Sequence, residues 1–344
     1  MTNREAVIAT LKHEPVFPLP YMTDFTGQEY EKMVRYTGDP NFASKYDFSI
    51  FCINYSGRTR EIPNRPGFFI DDYGVVWNRT GTDRDIGVID RPVIADIEDH
   101  DYRMPEVDEA KLRGELDWLM AHKGDKFAVA GIGFSMFERA WTLCSMEEVL
   151  AAMVASPDAL HKLLDDICDY HLKLVNIMLE YDIDAVYFGD DWGQQKGLIM
   201  GAKHWRTFIK PRMARLYTAV KSKGKFVIQH SCGDISEILG ELCDIGLDCY
   251  QTFQPEIYDI EAVKNSIGSR LSFWGGISTQ RLLPFADPET VKRETARIIS
   301  IMGKSGGYIP APTHSIPSDV PPENVLAMLD VFANQSKYIH ISEE

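Results

Sequence analysis

Eight short apolar runs punctuate the chain, at residues 16–22, 48–54, 127–131, 185–188, 226–229, 248–256, 271–277 and 306–317. Most are separated by stretches with apolar residues three and four apart, and polar or glycine-rich residues stand on the downstream side of each run. Strands that alternate with helices and leave their polar ends on one side are expected to close as a (β/α)8 TIM barrel, with the site at the C-terminal face of the strands. A doubly wound open sheet is the structural alternative, but no GxGxxG turn favours it. A chain of 344 residues suits one barrel domain, residues 1–344, carrying an insertion.

The insertion is expected after the second strand, at about residues 56–101. There FFIDDYGVVWNRTGTDRDIGVIDRPVI alternates brief apolar runs with Asp-Asp, Thr-Gly and Asp-Arg-Asp turn chemistry and has no helical period. It reads as a β-hairpin region of the kind that sits over one end of a barrel. Tyr73, Trp77 and Arg79 are therefore candidates for enclosing a substrate, packing within the hairpin being the alternative.

A net charge of −15 leaves no concentrated basic face for nucleic acid or an anionic membrane, so a small molecule or another protein is the expected partner. No run approaches the roughly 18 apolar residues of a membrane helix. The charged N-terminus does not resemble a signal peptide, and a cytoplasmic protein is expected. The six cysteines are too scattered for a disulfide framework and should be reduced.

Strand ends supply the candidate chemistry. The fifth run stops at His230 and Cys232 before turning on Gly233, which puts two soft metal ligands where a strand meets its loop; a core cysteine ahead of a helix start is the other reading. After the fourth run come Asp190 and Asp191, able to hold a metal, a cationic group or a proton, or simply to cap a turn. Glu138 and Arg139 open the helix after the third run and could pair on its surface. Asn54, Gln254, Glu256 and His314 end other runs. Asp190, Asp191 and Glu138 are the candidate catalytic groups, Asn54, Trp77, Trp192 and Gln254 the candidate substrate contacts, and His230, Cys232 and His314 the candidate metal ligands.

HSCG at 230–233, GDDWG at 189–193, WGGI at 274–277 and APTHSIPSDVPPENV at 311–325 together resemble the uroporphyrinogen decarboxylase superfamily over nearly the whole chain. That barrel hosts porphyrin decarboxylases and cobamide-dependent methyltransferases alike. The decarboxylases carry an arginine-rich RQAGRY motif after the first strand and a catalytic aspartate after the second. Here MTDFTGQ (22–28) and Asn54 stand in those places, and an acidic chain without those arginines lacks the clamps an octacarboxylate needs.

The methyltransferase branch is the better likeness, since it binds zinc through a His-x-Cys after strand five and a Cys after strand eight. His230 and Cys232 match the first pair, and His314 replaces the second cysteine. Near the acidic ligand of some members this chain has Gln254, with Glu256 two residues on, and which of them completes the site stays open. The resemblance implies methyl transfer from a small methylated donor, an O-methyl ether in the O-demethylase type, to the corrinoid of a separate carrier protein, with Zn2+ acting on the leaving group. No DxHxxG-type corrinoid loop is present, so the corrinoid is expected on a partner. Transfer in the reverse sense to a thiol, and a non-catalytic ligand-binding barrel, are the rival readings. The oligomeric state stays open, a homodimer among the options.

Overall fold

The computed structural model describes residues 1–81 and 87–339. Seven parallel strands form one curled sheet in chain order: β1 (Ile50–Tyr55), β2 (Phe127–Ile132), β3 (Ala185–Gly189), β4 (Phe226–His230), β5 (Cys249–Phe253), β6 (Ser272–Ile277) and β7 (Tyr308–Pro312). Crossovers through helices such as Pro157–Met178 and Pro288–Met302 join them, and each helix buries its apolar stripe against the sheet. The result is the expected α/β barrel.

The first expected strand, 16–22, is the exception. It runs extended between β7 and β1, with Met22 N–H donating to Pro310 O at 3.1 Å and Ser49 N–H donating to Tyr21 O at 3.0 Å. Those bonds fill the eighth position of the wall. Pro18 and Pro20 have no N–H to give, so the segment cannot build a regular ladder. Its polar backbone is satisfied instead by Gln335, whose carboxamide exchanges two 2.8 Å hydrogen bonds with Leu19.

Inside, period-2 alternation sends Ile50, Phe127, Ala185, Ile228, Cys249 and Ile309 to the barrel axis. The helix Asn3–Leu11 lays Val7 and Leu11 on them and plugs the N-terminal end. A Thr2–Glu5 capping box starts that helix. The last expected helix is Pro322–Ala333. No helix is expected between the sixth and seventh runs, yet Ile260–Ile267 lies there, N-capped by Asp259. All six cysteines are unpaired, and no helix among the described residues is long and apolar enough to cross a membrane.

Part of the segment after β1 folds as a small antiparallel sheet of Thr59–Glu61, Phe68–Asp71, Val76–Asn78 and Val88–Ile89; residues 82–86 of that segment lie outside the described residues. The sheet is fastened to the barrel by Arg139. This side chain is buried, with its guanidinium 3.6 Å over the Tyr73 ring and 3.9 Å from the Asp71 carboxylate. Arg139 thus does not pair with Glu138 on a helix surface: a buried guanidinium needs its charge and its flat face satisfied, and Asp71 and Tyr73 do both.

Candidate functional site

Two residues beyond an inward-facing residue the next side chain faces inward again, and this places the central pair. His230 ends β4 in the same phase as Ile228, and Cys232 follows, so imidazole and thiol meet at the barrel mouth with Nε2 and Sγ 3.6 Å apart. His314 arrives from the loop after β7, its ring centroid 5.9 Å from that of His230. One donor atom from each of His230, Cys232 and His314 lies within 4.8 Å of the other two. The three candidate ligands therefore converge although 84 positions separate the two histidines.

The loop that carries Cys232 is held from several sides. Its N–H donates to Asp191 Oδ1 at 2.7 Å, Gly233 N–H to Gln254 Oε1 at 2.9 Å, and Ile235 N–H to the Tyr258 hydroxyl at 3.0 Å. Gly233 sits at φ +77° against Gly193, and a Cβ on it would lie 2.2 Å from the Gly193 carbonyl carbon. Only glycine fits where two backbones pass so closely. Gly233→Ala is expected to force the Asp191 and Cys232 loops apart, costing about 1–3 kcal/mol and weakening metal retention at least tenfold. A zinc titration with a denaturant melt checks this, and wild-type values in both would contradict it.

The adjacent carboxylates do different work. Asp190 is fully buried and accepts from the N–H groups of Phe137 (2.9 Å) and Glu138 (2.8 Å) and from Trp192 Nε1 (2.5 Å). Burial pushes its pKa up to about 6 against those hydrogen bonds. Asp191 turns to the metal-type cluster, its Oδ1 3.3 Å from His230 Nε2. Burial raises its pKa, but His230 and the Cys232 N–H outweigh that and hold it down at about 2. Glu138, buried beside Asp191 and Asp190, is pushed up to about 8 and keeps its proton at neutral pH. Partial desolvation and the neighbouring His230 lower the pKa of His314, although its side chain is exposed at the cavity mouth.

Below the cluster lies a cavity of about 490 Å³, walled by Ile50, Val129, Tyr187, Trp274 and Ala311 and lined with Asp24, Asn54, Gln251 and Ser315 among its polar groups. Among the described residues neither lysine nor arginine lines it. Asn54 faces it from β1 and has room because Gly131, its neighbour in register, has no side chain: a Cβ there would sit 3.0 Å from Asn54 Oδ1.

The other three expected substrate contacts belong to the scaffold. Trp77 is buried with Nε1 on Asp71 Oδ2 at 2.9 Å, Trp192 is buried with its indole on Asp190 and Trp205, and Gln254 pins Gly233. None of them lines the cavity, and neither does any described residue of 56–101. Glu256 hydrogen-bonds Ser278, away from the cluster. Three residues that do shape the cavity were not anticipated: Asp24, Tyr187 and Gln251. Gln251 could have been found by phase, since it follows Cys249 by two on an inward-facing strand and pairs in register with His230.

A family model for uroporphyrinogen decarboxylase (URO-D) matches residues 80–335. The uroporphyrinogen decarboxylase of Psychromonas ingrahamii is 25% identical over 251 residues, covering 66% of this chain and 67% of that protein. That of Proteus mirabilis is 26% identical over 249 residues, covering 66% of each. The chain thus spans about two thirds of the length of these curated relatives. A solved structure described as a methyltransferase from Methanosarcina mazei superposes with a TM-score of 0.72 over 98% of this chain and 99% of that one. At 19% sequence identity that likeness shows a shared fold.

Proposed function

The chain belongs to the uroporphyrinogen decarboxylase (URO-D) family, and from that premise we propose that it is a zinc-dependent methyltransferase. It would move a methyl group from a small O-methyl ether to the corrinoid of a separate carrier protein. The observation that carries this reading is the convergence of His230, Cys232 and His314 at the mouth of a cavity that, among the described residues, no lysine or arginine lines.

The donor set fits zinc. Ligand distances of about 2.0–2.1 Å to nitrogen and 2.3 Å to sulfur at a tetrahedral angle imply an N···S separation of roughly 3.5 Å, and the His230–Cys232 contact is 3.6 Å. The contact behind the ligand fits too, because His230 Nδ1 meets the Gln251 carboxamide oxygen, which would leave Nε2 for the metal. Zinc held there would supply a Lewis acid for the leaving oxygen. The Cys232 thiolate and ionised Asp191 balance its charge. Glu138, which retains a proton beside Asp191, is the residue we assign to returning one after transfer.

Zinc held by His230, Cys232 and His314 would have three protein ligands, the number typical of catalytic rather than structural sites, and could take substrate as well. Decarboxylation of an octacarboxylate is a poor match to a cavity that no Lys or Arg among the described residues lines, since buried carboxylates need paired cations.

The test offers zinc-loaded protein anisole with a cob(I)alamin-loaded carrier or free cob(I)alamin, and separately offers it uroporphyrinogen. Methylcobalamin formed from anisole, and no coproporphyrinogen, is the expected result. Coproporphyrinogen production would overturn the reading, and methyl transfer only from methylcobalamin to a thiol would reverse its direction.

A further inference from the structure

The Gln251 side chain lines the cavity fixed at one end and free, among the described residues, at the other. Its Oε1 is approached by His230 Nδ1 and lies 3.3 Å from the Tyr187 hydroxyl, a second hydrogen bond on the same oxygen. The Tyr187 hydroxyl donates to that atom, which makes it the carbonyl oxygen, and a His230 that leaves Nε2 to a metal carries its hydrogen on Nδ1 and donates there as well. The amide nitrogen Nε2 of Gln251 makes no hydrogen bond among the described residues, while the side chain lines the cavity beside Trp274, its register neighbour on β6. A primary amide clamped through its oxygen presents two preset N–H donors to whatever occupies the cavity next to the cluster.

We infer that Gln251 is a catalytic residue whose carboxamide N–H groups bind the leaving oxygen of the methyl donor. This rests on the methyl-ether reading of the site. In the transfer the C–O bond breaks, the methyl carbon bonds to the reduced corrinoid nucleophile, and both electrons of the broken bond stay on oxygen, which then takes up a proton. A donor aimed at that oxygen holds little in the neutral ether and much in the developing anion, so its effect falls on the transition state. The flat rings of Trp274 and Tyr187 on either side favour an aryl leaving group, whose charge is also spread into its ring.

The test uses 4-nitrophenol, whose ionised form is coloured, as a stand-in for the leaving group. Wild type, Gln251→Met, Gln251→Glu and Tyr187→Phe are compared at saturating zinc. Wild type should bind 4-nitrophenol as its anion. Gln251→Met, which removes the donor without adding charge, should weaken that binding at least tenfold and raise the pKa of the bound phenol. Tyr187→Phe, which loosens the clamp, should cost two- to fivefold. Gln251→Glu should retain zinc as well as wild type, because its carboxylate still accepts from His230, whereas Gln251→Met should release zinc more readily.

Equal 4-nitrophenol affinity and pKa in wild type and Gln251→Met would overturn the inference, as would failure of wild type to bind the anion at all. Failure of wild type to demethylate anisole despite these binding results would instead overturn the functional reading and leave the role of Gln251 as an anion donor standing.

Discussion

Cys232→Ser is expected to lower zinc affinity on the order of 10³-fold while leaving the barrel folded. Apparent binding energies of zinc sites built from Cys and His run to about 10–16 kcal/mol, shared among the donors, and a serine hydroxyl at neutral pH cannot replace a thiolate. The fold should survive because the contacts holding this loop come from backbone N–H groups and from Gln254 and Tyr258 rather than from the sulfur. His230→Ala should act in the same direction.

The affinity of the wild type should also fall with pH. Burial disfavours a charged His230, but Tyr187, Asp191 and Cys232 raise its pKa above the usual imidazole value, so zinc competes with a proton held more tightly than usual and competes less well as pH drops. A competition titration against a chromophoric chelator, with circular dichroism for the fold, reads both. Wild-type affinity in Cys232→Ser, or affinity that rises on acidification, would contradict the assignment.

Asp190→Ala should produce the largest loss of stability, about 3–5 kcal/mol. The variant leaves three buried donors, on Phe137, Glu138 and Trp192, with no acceptor, and each orphan costs about 1–3 kcal/mol. Removing a carboxylate whose own burial is unfavourable returns part of that. On a typical total of about 5–15 kcal/mol the effect is severe. Fluorescence of the buried Trp192 through a urea melt would follow it. A change below about 1 kcal/mol would contradict the view of Asp190 as the tie between the end of β3 and the helix Phe137–Cys144.

These two aspartates mark the limit of what the chain declares in advance. The strand order and the inward phase of His230 and Cys232 follow from apolar runs and a two-residue repeat. Which of two adjacent carboxylates faces the site does not, because both lie just past the end of β3 at Gly189 and their directions are set by distant donors. Asp190 is captured by the helix Phe137–Cys144, which leaves Asp191 for the cluster.

The tryptophans mislead for a related reason. In sequence Trp77 and Trp192 look like cavity walls, but each indole N–H has found a buried carboxylate, Asp71 or Asp190, and the rings went with it. The extended first segment was legible as an apolar run. Its prolines withhold the N–H groups of a regular strand, and only the bonds to Pro310 and Ser49 show how it closes the wall.

X-ray absorption at the zinc edge of protein isolated from cells grown with zinc tests the centre of this account most directly. The predicted shell holds one sulfur at about 2.3 Å and two imidazole nitrogens at about 2.0–2.1 Å, with a light-atom ligand in the fourth place that exchanges when 4-nitrophenol is added. A shell of oxygen and nitrogen with no sulfur, or protein that holds no zinc, would contradict a metal centre built on His230, Cys232 and His314.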